Sequence, residues 1–338
     1  MDVNEETTFS AESYFKTQPP PPGLDDAIQG VKEFVDYHVK SGKKIVLLTS
    51  GGTTVPLELH VVRFLDNISA GTRGAASAEY FLKSGYAVIF MHRQFSLKPF
   101  SRHYSHTTNP FLDFLEFNPP AEGSGEDQPT ITITSSERTR LAEILAAYQE
   151  SRRTKTLHTL TFVNINDYLY LLRGVSHVLK PVGRKGMYYL AAAVSDFFVP
   201  KKRLSEHKIQ SRKGSLIIEM DQVPKILKPL VEEWSSGGFV ASFKLETDKN
   251  ILIPKACDSL ERYGHQLVIA NRLDNKKYEV IFVTRSDGPG SENPKFNEEI
   301  IRLKDNSPEI EADIVERITA HHDQWITGGY AGQVSGRE

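Results

Sequence analysis

Thr49-Ser50-Gly51-Gly52-Thr53-Thr54-Val55-Pro56-Leu57-Glu58 follows an apolar run, Ile45 to Leu48, that reads as a buried strand. A second stretch comes soon after it: Val62-Arg63-Phe64-Leu65-Asp66-Asn67-Ile68-Ser69-Ala70-Gly71-Thr72-Arg73-Gly74. It opens a helix over about Gly71 to Lys83, in which Ala75, Ala78, Phe81 and Leu82 recur at helical spacing. A strand, a Gly-rich turn and a helix starting at Ser-x-Gly-x-x-Gly make a place to hold a phosphate. Backbone N–H groups at a helix start are unpaired and partly positive, and glycines let an anion come close. The pattern points to a nucleotide or a phosphorylated substrate.

Outward from this turn, Gly85 breaks the chain before a second apolar strand, Tyr86 to Met91, which completes a βαβ unit with parallel strands. Upstream, Leu24, Ile28, Val31, Val35 and Val39 mark an amphipathic helix over Leu24 to Lys40. Residues 1–23 end in Pro19-Pro20-Pro21-Pro22-Gly23 and read as a flexible segment with nothing to bury. Downstream the pattern is lost over an insertion of about 95–152, apart from a helix at Ser136 to Arg152. Strands are expected at Leu157 to Val163, Met187 to Val194, Phe239 to Lys244, Gln266 to Ala270 and Tyr278 to Thr284, with helices at Asp167 to Leu179 and Ile251 to Gly264. Residues 24–326 form one α/β unit on this reading, a mostly parallel sheet flanked by helices, and 327–338 a flexible tail. Ligands of such sheets sit beyond the carboxyl ends of the strands, where Ser50 to Thr54, Ala192 to Asp196, Phe243 to Glu246 and Asn271 all fall.

Bulk properties narrow the function by exclusion. The 338 residues carry a formal charge of −2, so no global basic field argues for nucleic acid. No apolar run approaches the roughly 20 residues that span a bilayer. One cysteine, Cys257, suits a reducing cytoplasm. The Walker sequence G-x-x-x-x-G-K-[ST] is missing, as is a G-x-S-x-G elbow. A dinucleotide site is harder to dismiss, but the second strand ends in Met91-His92-Arg93 where an acidic residue would hold a ribose. Arg93 could take a 2′-phosphate, which keeps an NADPH-dependent oxidoreductase as the rival reading. None of the 13 tyrosines has a lysine four positions later, however. His103 and His106 lack the context of a metal site, and His321-His322 read as part of a solvated face.

The segments Thr49 to Glu58, Arg63 to Gly74, Ala191 to Asp196, Glu206-His207-Lys208-Ile209-Gln210-Ser211, Ser242 to Thr247 and Ala270-Asn271 occur in order. Together they resemble eukaryotic phosphopantothenoylcysteine synthetase, the phosphopantothenate–cysteine ligase of coenzyme A biosynthesis. The resemblance implies a Rossmann-like fold with a dimerisation element, and a homodimer that joins 4′-phosphopantothenate to L-cysteine. ATP with Mg²⁺ would activate the carboxylate as an acyl-adenylate. Such chemistry asks for positioning and charge neutralisation, not for a protein nucleophile.

Carried over residue by residue, the resemblance places Gly51, Ser69, Gly71, Gly74, Phe243 and Asn271 at the nucleotide. Asn67 would contact the reacting acyl group, and Ala192, Ala193 and Asp196 would line the phosphopantothenate site. Arg63 would reach across the dimer to the substrate phosphate, a task suited to a forked guanidinium. Lys208 would be the catalytic lysine, carried on a mobile loop and stabilising charge on the α-phosphate. Each has a plainer reading. The glycines and Ser69 fit a capped turn, Phe243 the core, Asn271 a turn, Asp196 a helix N-cap, Arg63 a surface ion pair, and the Lys201-to-Lys213 run a solvated face. Ala70 departs from the family, which often has serine there, and Gln210 and Arg272 depart from the bacterial members, favouring the eukaryotic subgroup and hence ATP.

Overall fold

In a computed structural model, residues 9–104, 110–120, 128–210, 214–235, 237–286 and 294–328 are described. The run Ile45 to Ser50 forms β1 (Ile45–Ser50), buried along its whole length between two parallel neighbours. An unbroken Ile-Val-Leu-Leu run is what a strand covered on both faces requires. The turn after β1 leads into a small hairpin, β2 (Thr54–Pro56) with β3 (Phe64–Asp66), and then into α3 (Thr72–Lys83) and β4 (Ala87–Arg93). Before β1 lie α1 (Ala11–Thr17) and α2 (Leu24–Lys40).

After β4 the chain makes the hairpin β5 (Leu115–Asn118) and β6 (Thr130–Ile133), then α4 (Arg138–Arg153), β7 (Leu157–Phe162), α5 (Ile165–Leu179) and β8 (Gly186–Leu190). A short ribbon of β9 (Phe197–Phe198) and β10 (Asp221–Gln222) and a helical turn, α6 (Leu227–Pro229), precede β11 (Phe239–Glu246). The chain then runs through α7 (Lys249–Tyr263), β12 (Leu267–Arg272), β13 (Glu279–Arg285), β14 (Phe296–Arg302) and α8 (Ile310–Ile326).

Among the described residues the main sheet has eight strands in the order β14-β13-β12-β11-β8-β1-β4-β7. Pairing from β12 to β7 is parallel, and β13 and β14 add an antiparallel edge. Alternate residues of β1 face opposite cores. Ile45 and Leu47 pack with Val31 and Phe34 of α2 and Leu172 of α5, whereas Val46 and Leu48 pack with Ala75 and Phe81 of α3 and Ile314 of α8. The expected α/β class, a mostly parallel sheet flanked by helices, is therefore observed. From β1 the chain winds outward through β4 to β7, then returns to place β8, β11 and β12 on the other side of β1. The β1/β8 junction is thus the topological switch point, where ligands of open sheets bind.

Four expectations are corrected. The N-terminal segment has something to bury: Tyr14 of α1 is 0% exposed, edge-on to Phe198, and its hydroxyl reaches Asn166 at 3.2 Å. The strand expected to run to Val194 stops at Leu190. The insertion carries the β5–β6 hairpin, where no pattern was legible, although residues 105–109 (with His106) and 121–127 lie outside the described set. Finally, His321 and His322 are buried at 3% and 0% exposure, because α8 lies against the sheet. Of the tail, only Thr327 and Gly328 are described. No described helix is long and apolar enough to cross a membrane.

Candidate active site

Gly51 leaves β1 with φ +84°, and a Cβ there would stand 2.8 Å from the Arg93 Cβ. A Cβ on Gly52 would fall 1.7 Å from the Asn67 carbonyl oxygen, so the backbone of the two loops touches at that point. Gly71 and Gly74 face Ser50 in the same way, with Cβ positions 3.0 and 2.3 Å from its Oγ. The protein's own close packing thus accounts for the missing side chains at these positions. Ser50 Oγ also donates to the Gly71 carbonyl at 3.1 Å, fixing the α3 start against the end of β1.

The start of α3 has no side-chain cap: its N-cap is Gly71 itself, in the left-handed region. Ser69 does not fill that role, since its Oγ is a distant 3.4 Å from the Gly71 amide. Uncapped N–H groups at a helix start beside a glycine turn leave an anion-seeking surface.

Instead of continuing in the sheet, Ala191 to Ser195 fold over onto this turn. The Ala192 amide donates to Thr49 Oγ1 (3.1 Å) and the Ala193 amide to the Gly51 carbonyl (2.8 Å). In return the Thr53 amide donates to the Ala193 carbonyl (3.0 Å), and the Ser195 amide donates to Thr53 Oγ1 (2.9 Å). Both amides of Ala192 and Ala193 are therefore used within the protein. Asp196 is exposed and leads into β9, so it caps no helix. Asn67 is half-buried; its amide donates to the Thr53 carbonyl at 3.2 Å.

Phe243 and Asn271 lie on adjacent strands, β11 and β12. Phe243 is half-buried, its ring edge-on to Tyr189 at 5.0 Å, with the Arg73 guanidinium 6.0 Å over its face. Arg73, not singled out by the sequence, also pairs with Glu311 at 3.3 Å and donates to the Lys276 carbonyl. Asn271 is 4% exposed and donates its Nδ2 to the carbonyls of Ile269 (3.0 Å) and Lys244 (3.3 Å). Those two acceptors set the amide's orientation and leave Oδ1 without a donor among the described residues.

Arg63 and Lys208 form a second group. The Arg63 Nη1 donates to Glu58 Oε1 (3.1 Å) and to the Ile209 carbonyl (2.9 Å), next to Lys208. Glu58 is 0% exposed and was missed as a site residue, although it ends the opening stretch. Burial works against its charged form, but the amides of Arg63, Ile209 and Val62 and the Arg63 guanidinium outweigh that and hold the carboxyl below its ordinary range. Lys208 itself is exposed. Arg93, the anchor of the oxidoreductase reading, is tied up in an ion pair with Asp66. His103 pairs with Glu79 at 3.1 Å, and no described group of His, Cys, Asp and Glu side chains is arranged to hold a metal ion.

Comparison with known proteins fits this arrangement. The family described as DNA/pantothenate metabolism flavoprotein C-terminal domain matches residues 155–288. Phosphopantothenate–cysteine ligase CAB2 of Saccharomyces cerevisiae is 42% identical over 94% of this chain and 87% of its own. The Homo sapiens phosphopantothenate–cysteine ligase is 40% identical over 91% of this chain and 96% of its own. A solved structure of a Cab2 mutant in complex with phosphopantothenate-cysteine superposes with a TM-score of 0.80 at 42% identity, covering 94% of this chain and 98% of that one. These relatives leave the oxidoreductase reading without support. With such identity over nearly its whole length, the chain belongs to the phosphopantothenate–cysteine ligase family.

Proposed function

We propose that this chain joins the carboxylate of 4′-phosphopantothenate to the amine of L-cysteine in coenzyme A biosynthesis, using ATP with Mg²⁺. The carrying observation is the glycine turn at the β1/β8 switch point, hydrogen-bonded to Ala193 on both sides and set against an uncapped helix start. An ionised carboxylate is a poor acyl donor. Attack of its oxygen on the α-phosphorus of ATP forms an acyl-adenylate and releases pyrophosphate. The cysteine amine then attacks the acyl carbon, the amide forms, and AMP and a proton leave.

In this reading Gly51, Ser69, Gly71 and Gly74 line the nucleotide phosphates, which the first α3 amides hold. Phe243 offers an apolar face beside them. Asn271 Oδ1 accepts a hydrogen bond from the base amine or a ribose hydroxyl, since only a donor satisfies it. Asn67 orients the acyl group, and Ala192, Ala193 and Asp196 shape the pantothenate pocket. Lys208 neutralises charge on the α-phosphate in both steps. Arg63 binds the substrate phosphate of the partner protomer in a homodimer, with Nε and Nη2 for it while Nη1 stays on Glu58 and Ile209. Mg²⁺ would ride on the ATP phosphates and offset their charge. The lone cysteine supports a cytoplasmic setting.

Product analysis tests this reading. Purified protein is incubated with 4′-phosphopantothenate, cysteine and Mg²⁺, with ATP or CTP in parallel. Phosphopantothenoylcysteine with AMP and pyrophosphate is the expected result. Product in the CTP lane alone overturns the nucleotide assignment, and ADP with orthophosphate overturns the adenylate route and the role given to Lys208.

A further inference from the structure

Glu58 belongs to neither group of residues assigned to substrate, yet it touches both segments that carry the charged ones. Its carboxylate accepts the Arg63 amide on Oε2 (2.9 Å), and on Oε1 the Arg63 guanidinium (3.1 Å) and the Ile209 amide (3.3 Å). The Arg63 guanidinium closes the triangle on the Ile209 carbonyl at 2.9 Å. One more contact ties the two segments, the Leu59 amide donating to the Ser205 carbonyl (2.8 Å), and the Leu57 amide closes the 57–63 loop on the Arg63 carbonyl (3.1 Å). Beside this junction lies a cavity of about 200 Å³ lined by Val55, Pro56, Glu58, Leu59, Phe198 and Leu204. The polar bonds converging on Glu58 therefore link the two segments next to space that apolar packing leaves unfilled. A carboxylate with no exposed surface keeps its charge only while these donors stay in place.

We propose that Glu58 is a positioning residue that locks Arg63 and the Lys208 segment into one unit, so that phosphate binding at Arg63 fixes Lys208 over its site. The inference rests on the roles proposed above for Arg63 and Lys208. With Nη1 held on Glu58 and the Ile209 carbonyl, any shift of Arg63 toward a phosphate at Nε and Nη2 must carry Glu58 and the Ile209 carbonyl with it or break those bonds. In a homodimer where Arg63 serves the partner, the same link ties each Lys208 segment to phosphate bound in the neighbouring site.

The test uses the full chain and reads tryptic cleavage after Lys208, with and without 4′-phosphopantothenate, beside steady-state kinetics. In the wild type, phosphopantothenate should slow cleavage at Lys208. Glu58→Gln should raise the cleavage rate about tenfold, abolish that protection, and lower kcat/KM for phosphopantothenate while leaving KM for the nucleotide unchanged. Glu58→Asp should restore part of the protection, because it returns the charge with a shorter reach. Ile209→Pro removes the amide donor from the opposite end of the bond; because trypsin does not cut before proline, this variant and the wild type are compared by Glu-C cleavage after Glu206, which should rise and lose its protection as in Glu58→Gln, even if Glu58→Gln itself does not fold. Wild-type cleavage and protection in Ile209→Pro, or in a folded Glu58→Gln, would overturn the proposal. Cleavage is read without turnover, so a wild type that forms no product would overturn the ligase reading separately.

Discussion

Gly74 marks how tightly the α3 start is set against β1: a methyl group there would stand 2.3 Å from Ser50 Oγ and 2.5 Å from its Cβ. Ser50 is buried on a central strand and cannot give way cheaply. Gly74→Ala should lower unfolding free energy by about 1–3 kcal/mol, measured by urea denaturation. Asn271 makes the opposite kind of prediction, since its Oδ1 lacks a donor among the described residues. Asn271→Leu should raise KM for the nucleotide about tenfold or more, with little change in KM for phosphopantothenate, as seen in initial-rate kinetics. Lys208→Gln should lower kcat by about a hundred- to a thousand-fold with an unaltered melting curve, because an exposed side chain contributes little to stability. At this scale the glycine turn was legible in the sequence, but the contacts its residues make were not. The structure adds a packing reason for the glycines, since Ser50, Asn67 and Arg93 occupy the space that side chains there would need.

At the scale of elements, strongly periodic helices and continuous apolar strands were legible. α2 spans the expected Leu24–Lys40, because five apolar side chains repeat along one face. Elements whose apolar residues are sparse or masked by polar ones were not. α8 contains two adjacent histidines that look solvated in isolation, but the packed helix buries both. His322 Nε2 donates to the Arg184 carbonyl and Nδ1 accepts from the Tyr86 hydroxyl, both at 2.8 Å, which satisfies one neutral tautomer. Burial pushes its pKa down to about 4. The unfolded chain therefore binds a proton that the folded one refuses, and stability falls as pH drops from the ordinary histidine value of 6.5 toward about 4. At pH 5 the loss is on the order of 2 kcal/mol from this histidine alone. Urea midpoints at pH 7.5 and 5 should show a drop in the wild type that is smaller in His322→Gln.

For the molecule as a whole, the decisive question is whether the proposed homodimer forms and which of its protomers Arg63 serves. Mixed dimers of Arg63→Ala and Lys208→Gln chains answer it. With Arg63 acting across the interface, one site of the mixed dimer combines an intact Lys208 with the partner subunit's intact arginine. Mixing and refolding should then recover activity above either parent, up to about a quarter of wild type, since half the dimers are mixed and each has one site with both side chains. Recovery no greater than either parent would mean Arg63 acts within its own chain. The sequence by itself determined the α/β class, the strand–turn–helix that sets the switch point, and the family, because these rest on local periodicity and on contiguous motifs. Only the tertiary structure decided that Ala191 to Ser195 leave the sheet to close over Gly51 to Thr53, and that α1 and α8 bury Tyr14 and His322. It also brought Glu58 between Arg63 and Ile209, a contact spanning 151 positions for Glu58 and Ile209. Such contacts are set by which distant backbone donors and acceptors the sheet order brings together, and no local pattern records them.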